Sequence, residues 1–349
     1  MIMGEVRMNK LKYPEKRYLS TYELTSSFFD EMRVKVFDIV PLRKVFILKT
    51  SNGNKILKRI DYGEDKLNFI NYCLKAVDKI GKNILSFNTF KNGKSYIDWK
   101  GKRYVLMDLI DGREVSFTNP LEFTACCSFL ANLHLASKEN TNNVFYSKMD
   151  RSLILKFKDN LHNIKDEKKL VEKYKYKNEF DELFYVHTDE YIEEMDKAIK
   201  MLWSSQYCNY RNNHKNVVVC HNDLAEHNFL YKDNEIYLID FDYCSIDLRI
   251  LDLADIILKG IKNAGFDFDK AVEGIESFNS IYPLEDDEYK LLYILLLFPR
   301  DFCNIVNSYY FKQKNWEQEV FISRLKAKLN NESFRREFLE KFKEKYLKN

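Results

Sequence analysis

Apolar residues recur in two regimes along this chain. Over roughly the first hundred residues the runs are short and rich in Val, Ile and Phe, the residues that suit a pleated surface. Val34 to Val40 and Arg43 to Thr50 read as strands, Ser51-Asn52-Gly53-Asn54 as a hairpin turn, and Lys55 to Ile60 as the returning strand. A short helical pattern spans Tyr22 to Asp30. Glu64 to Ile80 carries a helical stripe at Leu67, Ile70, Leu74 and Val77. Ser95 to Trp99 and Tyr104 to Ile110 predict two further strands on either side of Lys100-Gly101-Lys102. After Asp111-Gly112-Arg113 the period changes to that of helices. Asn119-Pro120 opens a helix through Leu130, Leu133 and His134. Leu153 to Met201 reads as two amphipathic helices. Helical stripes follow at Leu251 to Ile261, Asp287 to Leu297, Arg300 to Phe311, Trp316 to Leu329 and Glu332 to Leu347. The pattern predicts an α+β chain with a small antiparallel β-sheet N-terminal lobe carrying one helix, residues 1–110, and a larger, mainly helical lobe, residues 111–349.

One stretch inside the helical part breaks the pattern. Val217-Val218-Val219-Cys220 is a buried-strand run, His221-Asn222-Asp223-Leu224-Ala225-Glu226-His227 a polar loop, and Asn228 to Asp240 a hairpin about Lys232-Asp233-Asn234-Glu235. Centring the turn on Asn234 pairs Leu230 with Leu238, Phe229 with Ile239 and Asn228 with Asp240. Opposed residues share a face with Cβ atoms about 5 Å apart, so Asn228 and Asp240 become candidate ligands for one small hard cation. Asp223, on the loop leading into the hairpin, is the candidate catalytic acid. Phosphoryl transfer needs one carboxylate to orient a hydroxyl and an amide and a carboxylate to hold Mg²⁺ on a nucleotide. Asp242 either helps hold metal or caps the next turn. His221 is a packing and hydrogen-bonding residue, and His227 either faces solvent or packs locally.

Composition narrows the partners. Lys+Arg is 56 against Asp+Glu 53, a net charge of +3, which gives no basic footprint for nucleic acid. Only 10 glycines are present, and neither G-x-G-x-x-G nor G-x-x-x-x-G-K-[ST] occurs, so a nucleotide must be held by side chains and metal. Seven scattered cysteines without C-x-x-C read as reduced thiols rather than a metal cluster. The first ten residues lack a signal-peptide core, and the longest apolar run, Leu291 to Phe298, is a core helix rather than a membrane span.

With H-x-D-x-x-x-x-N at His221 to Asn228 and Ile239-Asp240-Phe241-Asp242 in place, the chain resembles the protein-kinase-like superfamily, in its aminoglycoside phosphotransferase and choline kinase branch. It is most similar there to the CotS-type spore-coat family. That closer likeness rests on Asp247-Leu248-Arg249, Leu251-Asp252-Leu253-Ala254, Phe298-Pro299-Arg300-Asp301-Phe302, Asn307-Ser308-Tyr309-Tyr310 and Trp316. The resemblance implies a two-lobed kinase-like fold with ATP and Mg²⁺ as cofactors. It implies Asp223 as the catalytic aspartate, Asn228 and Asp240 as Mg²⁺ ligands, His221 as the loop histidine and Asp252 as the helix acid that ties down the loop backbone. Lys58 is implied as the phosphate-neutralising lysine, and Met107 to Leu109 as the hinge whose backbone reads adenine. The partners implied are a small polar molecule bearing a hydroxyl and other spore coat proteins, with no nucleic acid and no membrane. The place implied is the cytoplasm, the mother cell and the spore coat.

Two departures leave a second reading open. Asn222 stands where the branch usually has glycine. No glutamate follows Lys58 in the interior of the next helix, where Asn68 and Asn71 stand instead, although active kinases need that Lys–Glu pair. The loop Pro41-Leu42-Arg43-Lys44 has no glycine, and Arg43 or Lys44 either approaches a phosphate or lies in a solvated turn. The alternative to a small-molecule phosphotransferase is therefore a catalytically weak or inactive kinase-fold component of the coat.

Overall fold

The computed structural model describes residues 23–42, 45–77, 83–138 and 152–347. The chain divides into two compact units, Met1–Lys75 with Leu85–Asp111 and Ala76–Ile84 with Gly112–Asn349.

The first unit is an antiparallel sheet of β1 (Val36–Leu42), β2 (Val45–Thr50), β3 (Gly53–Ile60), β4 (Tyr96–Trp99) and β5 (Lys102–Asp108), in the order β1-β2-β3-β5-β4. Its turns follow from residues that tolerate positive φ. Gly53 (φ 84°) opens β3, and Lys100 and Gly101 (φ 47° and 76°) join β4 to β5. Alternation along β3 sends Leu57 to a core with Phe46, Leu48, Tyr104 and Leu106, closed by Phe28 of the helix Ser26–Asp30. The other face carries Ile60 and Val105 against Leu67 of the helix Glu64–Ala76. Arg43 and Lys44 lie outside the described residues, as do 78–82, into which the sequence pattern carried that last helix.

The second unit holds β6 (Arg113–Glu114), β7 (Val217–Cys220), β8 (Phe229–Lys232), β9 (Glu235–Leu238) and β10 (Ser245–Leu248). They form a β7–β10 antiparallel pair and a β6-β8-β9 sheet. The expected helices are present at Pro120–Lys138, Leu153–Glu172, Glu179–Ser204, Arg249–Ile261, Asp286–Leu297, Arg300–Tyr310, Gln318–Asn330 and Glu332–Tyr346. Two helices were not anticipated, Tyr207–Asn212 and Phe268–Asn279. The second carries Gly274, which weakens its helical signal, yet the glycine is what allows its packing. A Cβ at Gly274 would sit 2.7 Å from the ring of Phe123 and 2.9 Å from Ile257 Cδ1. Phe123, fully buried on Pro120–Lys138, also presses on Gly260.

Asp286–Tyr310 has the length and hydropathy of a membrane span, but 78% of its most apolar window is buried inside the protein, and Pro299 separates its two helices. These are core helices, as the pattern predicts.

Candidate functional site

The loop after β7 is built on one face of the helix Arg249–Ile261. β7 pairs with β10 in the register Cys220 to Ser245 through Val217 to Leu248, and the helix leaves directly from the end of β10. Asp252, fully buried in its first turn, accepts the His221 N–H at 2.7 Å on Oδ2 and the Asn222 N–H at 2.8 Å on Oδ1. His134 Nε2 lies 3.1 Å from the same Oδ2. The fully buried ring of His134 thus orients the acid that holds the loop.

These contacts explain the missing glycine. Asn222 has φ 65°, a left-handed conformation that asparagine tolerates better than most residues. Its side chain fixes that turn by donating to Tyr243 O at 2.9 Å and Ser245 Oγ at 2.8 Å.

His221 is fully buried and ties two segments together. Ile239 O can only accept, so Nε2, 3.0 Å away, carries the proton, and Nδ1 accepts the Asp223 N–H at 3.2 Å. The ring packs edge-on against Phe241 with centroids 4.7 Å apart. Burial pushes the pKa of His221 down, with Asp252 acting in the opposite direction. The ring is a neutral strut between the Asp223 loop and the residue preceding Asp240.

Asp223 and Asn228 meet directly. Asn228, 2% exposed, donates from Nδ2 to Asp223 O at 2.8 Å and to Asp223 Oδ2 at 3.2 Å. The amide nitrogen is thereby turned inward and Oδ1 is its remaining oxygen donor. Asp223 Oδ1 lies 2.8 Å from Lys259 Nζ. Lys259 also reaches Asp255 Oδ2 at 2.9 Å. Asp255 in turn accepts the Leu224 N–H at 3.0 Å and pairs with Arg300 at 2.8 Å. Burial acts to raise the pKa of Asp255, but Arg300 and Lys259 outweigh it and hold the carboxyl below its ordinary value. Asp255 and Lys259 had no role in the sequence reading and Arg300 was noted only within Phe298 to Phe302, although Asp252, Asp255 and Lys259 stand at one-face helical spacing in the letters.

The hairpin register needs correction. β8 and β9 pair Phe229 with Leu238, Leu230 with Tyr237, Tyr231 with Ile236 and Lys232 with Glu235. This is one residue off the pairing expected with the turn centred on Asn234. The connection is a two-residue turn with Asp233 and Asn234 both at positive φ, 51° and 63°, the conformation whose twist suits a two-residue hairpin. Asn228 and Asp240 are therefore not a cross-strand pair. Asn228 ends a one-turn helix, Glu226–Asn228, and its carbonyl accepts the Ile239 N–H at 3.0 Å. Asp240 follows at φ 69°, ψ 63°, a left-handed kink just beyond the strand. The Ile239 bond joins Asn228 to the residue before Asp240, and the His221 strut holds that same residue. Asp242 lies in the single turn Phe241–Tyr243. His227 is exposed. An amide oxygen beside carboxylates at the end of a hairpin is the kind of donor set that suits a small hard cation.

Among the described residues, His134, Cys220 and Asp252 also place ligand atoms within 4.8 Å of one another. This group is a hydrogen-bonded junction. Asp252 is occupied as above, and the Cys220 thiol donates toward Asp247 O and Leu248 O at 3.5 and 3.4 Å. Burial pushes the Cys220 pKa well above its ordinary value.

In the first unit, Lys58 lies opposite Val105 on the sheet face that packs on the helix Glu64–Ala76. The acids of that helix are Glu64 and Asp65 in its first turn, and Glu64 is 3.8 Å from Lys94. Met107 pairs with Ile56 on one side and bridges Phe87 on the other. The Leu109 N–H donates to Asn54 O at 3.0 Å.

With this geometry established, comparison with known proteins is specific. The family described as "Spore coat putative kinase YutH" matches residues 47–342. Spore coat protein S of Bacillus subtilis (strain 168) is 26% identical over 317 residues, 88% of each chain. Among solved structures, an aminoglycoside phosphotransferase from Alicyclobacillus acidocaldarius superposes with a TM-score of 0.81 at 17% identity, covering 93% of this chain and 96% of that one. Spectinomycin phosphotransferase APH(9)-Ia, solved with ADP and spectinomycin, gives 0.66 at 14% identity, with 91% and 98% covered. Choline kinase LicA from Streptococcus pneumoniae gives 0.52 at 16% identity, with 93% and 99% covered. These likenesses show the fold, which is kinase-like and α+β.

Proposed function

The chain belongs to the spore coat putative kinase YutH family, and on that footing we propose that it is an ATP·Mg²⁺-dependent phosphotransferase acting on a hydroxyl of a small polar molecule, in association with the spore coat. The observation that carries this reading is the Asp223 carboxylate, held on both oxygens, by Asn228 Nδ2 at 3.2 Å and Lys259 Nζ at 2.8 Å. Anchoring on both oxygens fixes the orientation of the carboxylate. Its roughly one-third exposed side chain still leaves room for a hydroxyl.

In this reading Asp223 orients the acceptor hydroxyl and takes its proton. Asn228 Oδ1 and Asp240 hold Mg²⁺, with Asp242 beside them. The metal supplies neutralisation of charge on the transferred phosphoryl group. His221 and Asp252 keep the loop in register with the end of the hairpin. In the first unit Lys58 serves the phosphates, and the backbone of Met107 and Leu109 serves the base. The structural neighbours solved with spectinomycin and named for choline motivate a small acceptor.

The test is thermal. Mg·ATP at a hundred times its Kd stabilises a binding protein by about 2.7 kcal/mol. The shift is expected in the wild type and lost in Asp240→Asn, which keeps the left-handed backbone while removing the charge. No shift with millimolar Mg·ATP sinks the proposal.

One observation favours a second reading, a coat component with little turnover. The helix Glu64–Ala76 carries its acids, Glu64 and Asp65, in its first turn, and has Asn68 and Asn71 in the interior where active kinases place a glutamate. Under this reading Asp223→Asn leaves coat assembly and spore resistance intact. Loss of both by a folded Asp223→Asn protein rules it out.

A further inference from the structure

Four of the bonds that shape the loop 221–224 end on one stripe of one helix. Asp252, Asp255 and Lys259 follow one another three and four residues apart along Arg249–Ile261, so all three face the loop. Asp252 takes the backbone of His221 and Asn222, and Asp255 takes the backbone of Leu224. Lys259 takes the one side chain in the stretch that points at chemistry, Asp223.

An exposed Lys–Asp pair commonly contributes little, because both side chains wander. This pair is different. The Lys259 side chain is 20% exposed, and its ammonium is fixed between Asp223 Oδ1 at 2.8 Å and Asp255 Oδ2 at 2.9 Å. Asp255 is itself 5% exposed and braced by Arg300 at 2.8 Å. The result is an alternating row, Arg300–Asp255–Lys259–Asp223, that starts in the helix Arg300–Tyr310 and ends on the candidate catalytic carboxylate. Two of the three ammonium N–H bonds are used by carboxylates, and the positive charge stands beside Asp223 Oδ1.

We propose that Lys259 is the positioning residue of the transfer reaction, fixing Asp223 through Oδ1 while Asn228 fixes Oδ2. The proposal rests on the function inferred above. In that reaction the acceptor hydroxyl gives its proton to the Asp223 carboxylate. Its oxygen forms a bond to the γ-phosphorus of ATP, and the bond from that phosphorus to the β–γ bridging oxygen breaks. ADP leaves with the electron pair, and Asp223 returns the proton to solvent. Lys259 sets which lone pairs of Asp223 face the hydroxyl. Asp255 and Arg300 act one step further back by holding the ammonium in place.

The test uses the full chain with Lys259→Met and Lys259→Arg. Mg·ATP affinity is measured by calorimetry, and turnover as ATP hydrolysis and as transfer to a panel of polyols, sugars and amino alcohols. Lys259→Met is expected to bind Mg·ATP within about twofold of wild type and to lose on the order of 100-fold in kcat with the KM for ATP unchanged. Lys259→Arg should recover part of that loss, since it keeps the charge near both carboxylates. A Lys259→Met protein with kcat within about threefold of wild type overturns the positioning role and leaves the proposed function standing. A wild type that binds Mg·ATP but neither hydrolyses it nor transfers from it overturns the role as well, in favour of the coat-component reading. A wild type that does not bind Mg·ATP overturns both. If circular dichroism shows Lys259→Met to be unfolded, Lys259→Gln is read by the same kcat criterion.

Discussion

Asp252 receives the His221 N–H on one carboxylate oxygen at 2.7 Å and the Asn222 N–H on the other at 2.8 Å, so one buried side chain closes the turn that aims Asp223. Asp252→Asn keeps the shape but turns one of the two acceptors into a donor. A buried N–H left facing it costs about 1–3 kcal/mol. The urea midpoint of Asp252→Asn should fall accordingly with an unchanged m-value. A midpoint equal to wild type would mean the carboxylate does not hold the loop.

The φ of 65° at Asn222 sets a different order of tolerance. Asn222→Gly keeps the backbone conformation and loses the two side-chain bonds to Tyr243 and Ser245. Asn222→Val loses the same bonds and adds left-handed strain, worth roughly a further 1–2 kcal/mol. Thermal unfolding should therefore rank wild type above Asn222→Gly and Asn222→Gly above Asn222→Val. A valine variant as stable as the glycine variant would refute the left-handed assignment.

His221 gives the site a pH dependence. Burial lowers its folded pKa below the ordinary 6.5, so the unfolded chain binds the proton first. The stability this contributes is fully present above about pH 6.5 and is lost as pH falls through that value toward the folded pKa. The unfolding midpoint should be lower at about pH 5.5 than at about pH 7.5, and the difference should shrink in His221→Gln. An equal pH dependence in the two proteins would assign it to other groups.

Gly260 and Gly274 both face the ring of Phe123. Alanine is the better helix former by about 1 kcal/mol, yet overpacking a filled site costs about 1–3 kcal/mol. Gly274→Ala should lower the melting temperature in the wild-type background and lower it less in Phe123→Leu, where the ring is gone. Stabilisation by Gly274→Ala alone would show that the helices have room to part.

The helices of the second unit were legible because each carries a long apolar stripe, and Glu179–Ser204 adds a capping box at Asn178 and Asp181. Phe268–Asn279 escaped because Gly274 interrupts its helical signal, and the reason for that glycine lies in Phe123, some 150 residues earlier. The hairpin after Asn228 was legible as a hairpin but not in its register. The choice between a turn centred on Asn234 and one on Asp233-Asn234 depends on which residues adopt positive φ, and both asparagine and aspartate can.

The sequence by itself determined the strand–loop–hairpin order that puts Asp223, Asn228 and Asp240 within one short stretch, because that order depends on local pattern and turn chemistry. It also determined that helices and a small antiparallel sheet segregate along the chain. Tertiary structure alone decided what holds Asp223. Asn228 is five residues away, but Asp252, Asp255 and Lys259 come from a helix some thirty residues on, and Arg300 and His134 from helices further still. Side chains that distant are chosen by packing, and a buried carboxylate is stable only where the fold delivers donors to every oxygen. The candidate catalytic acid is therefore written in the local sequence, and its orientation is a property of the assembled second unit.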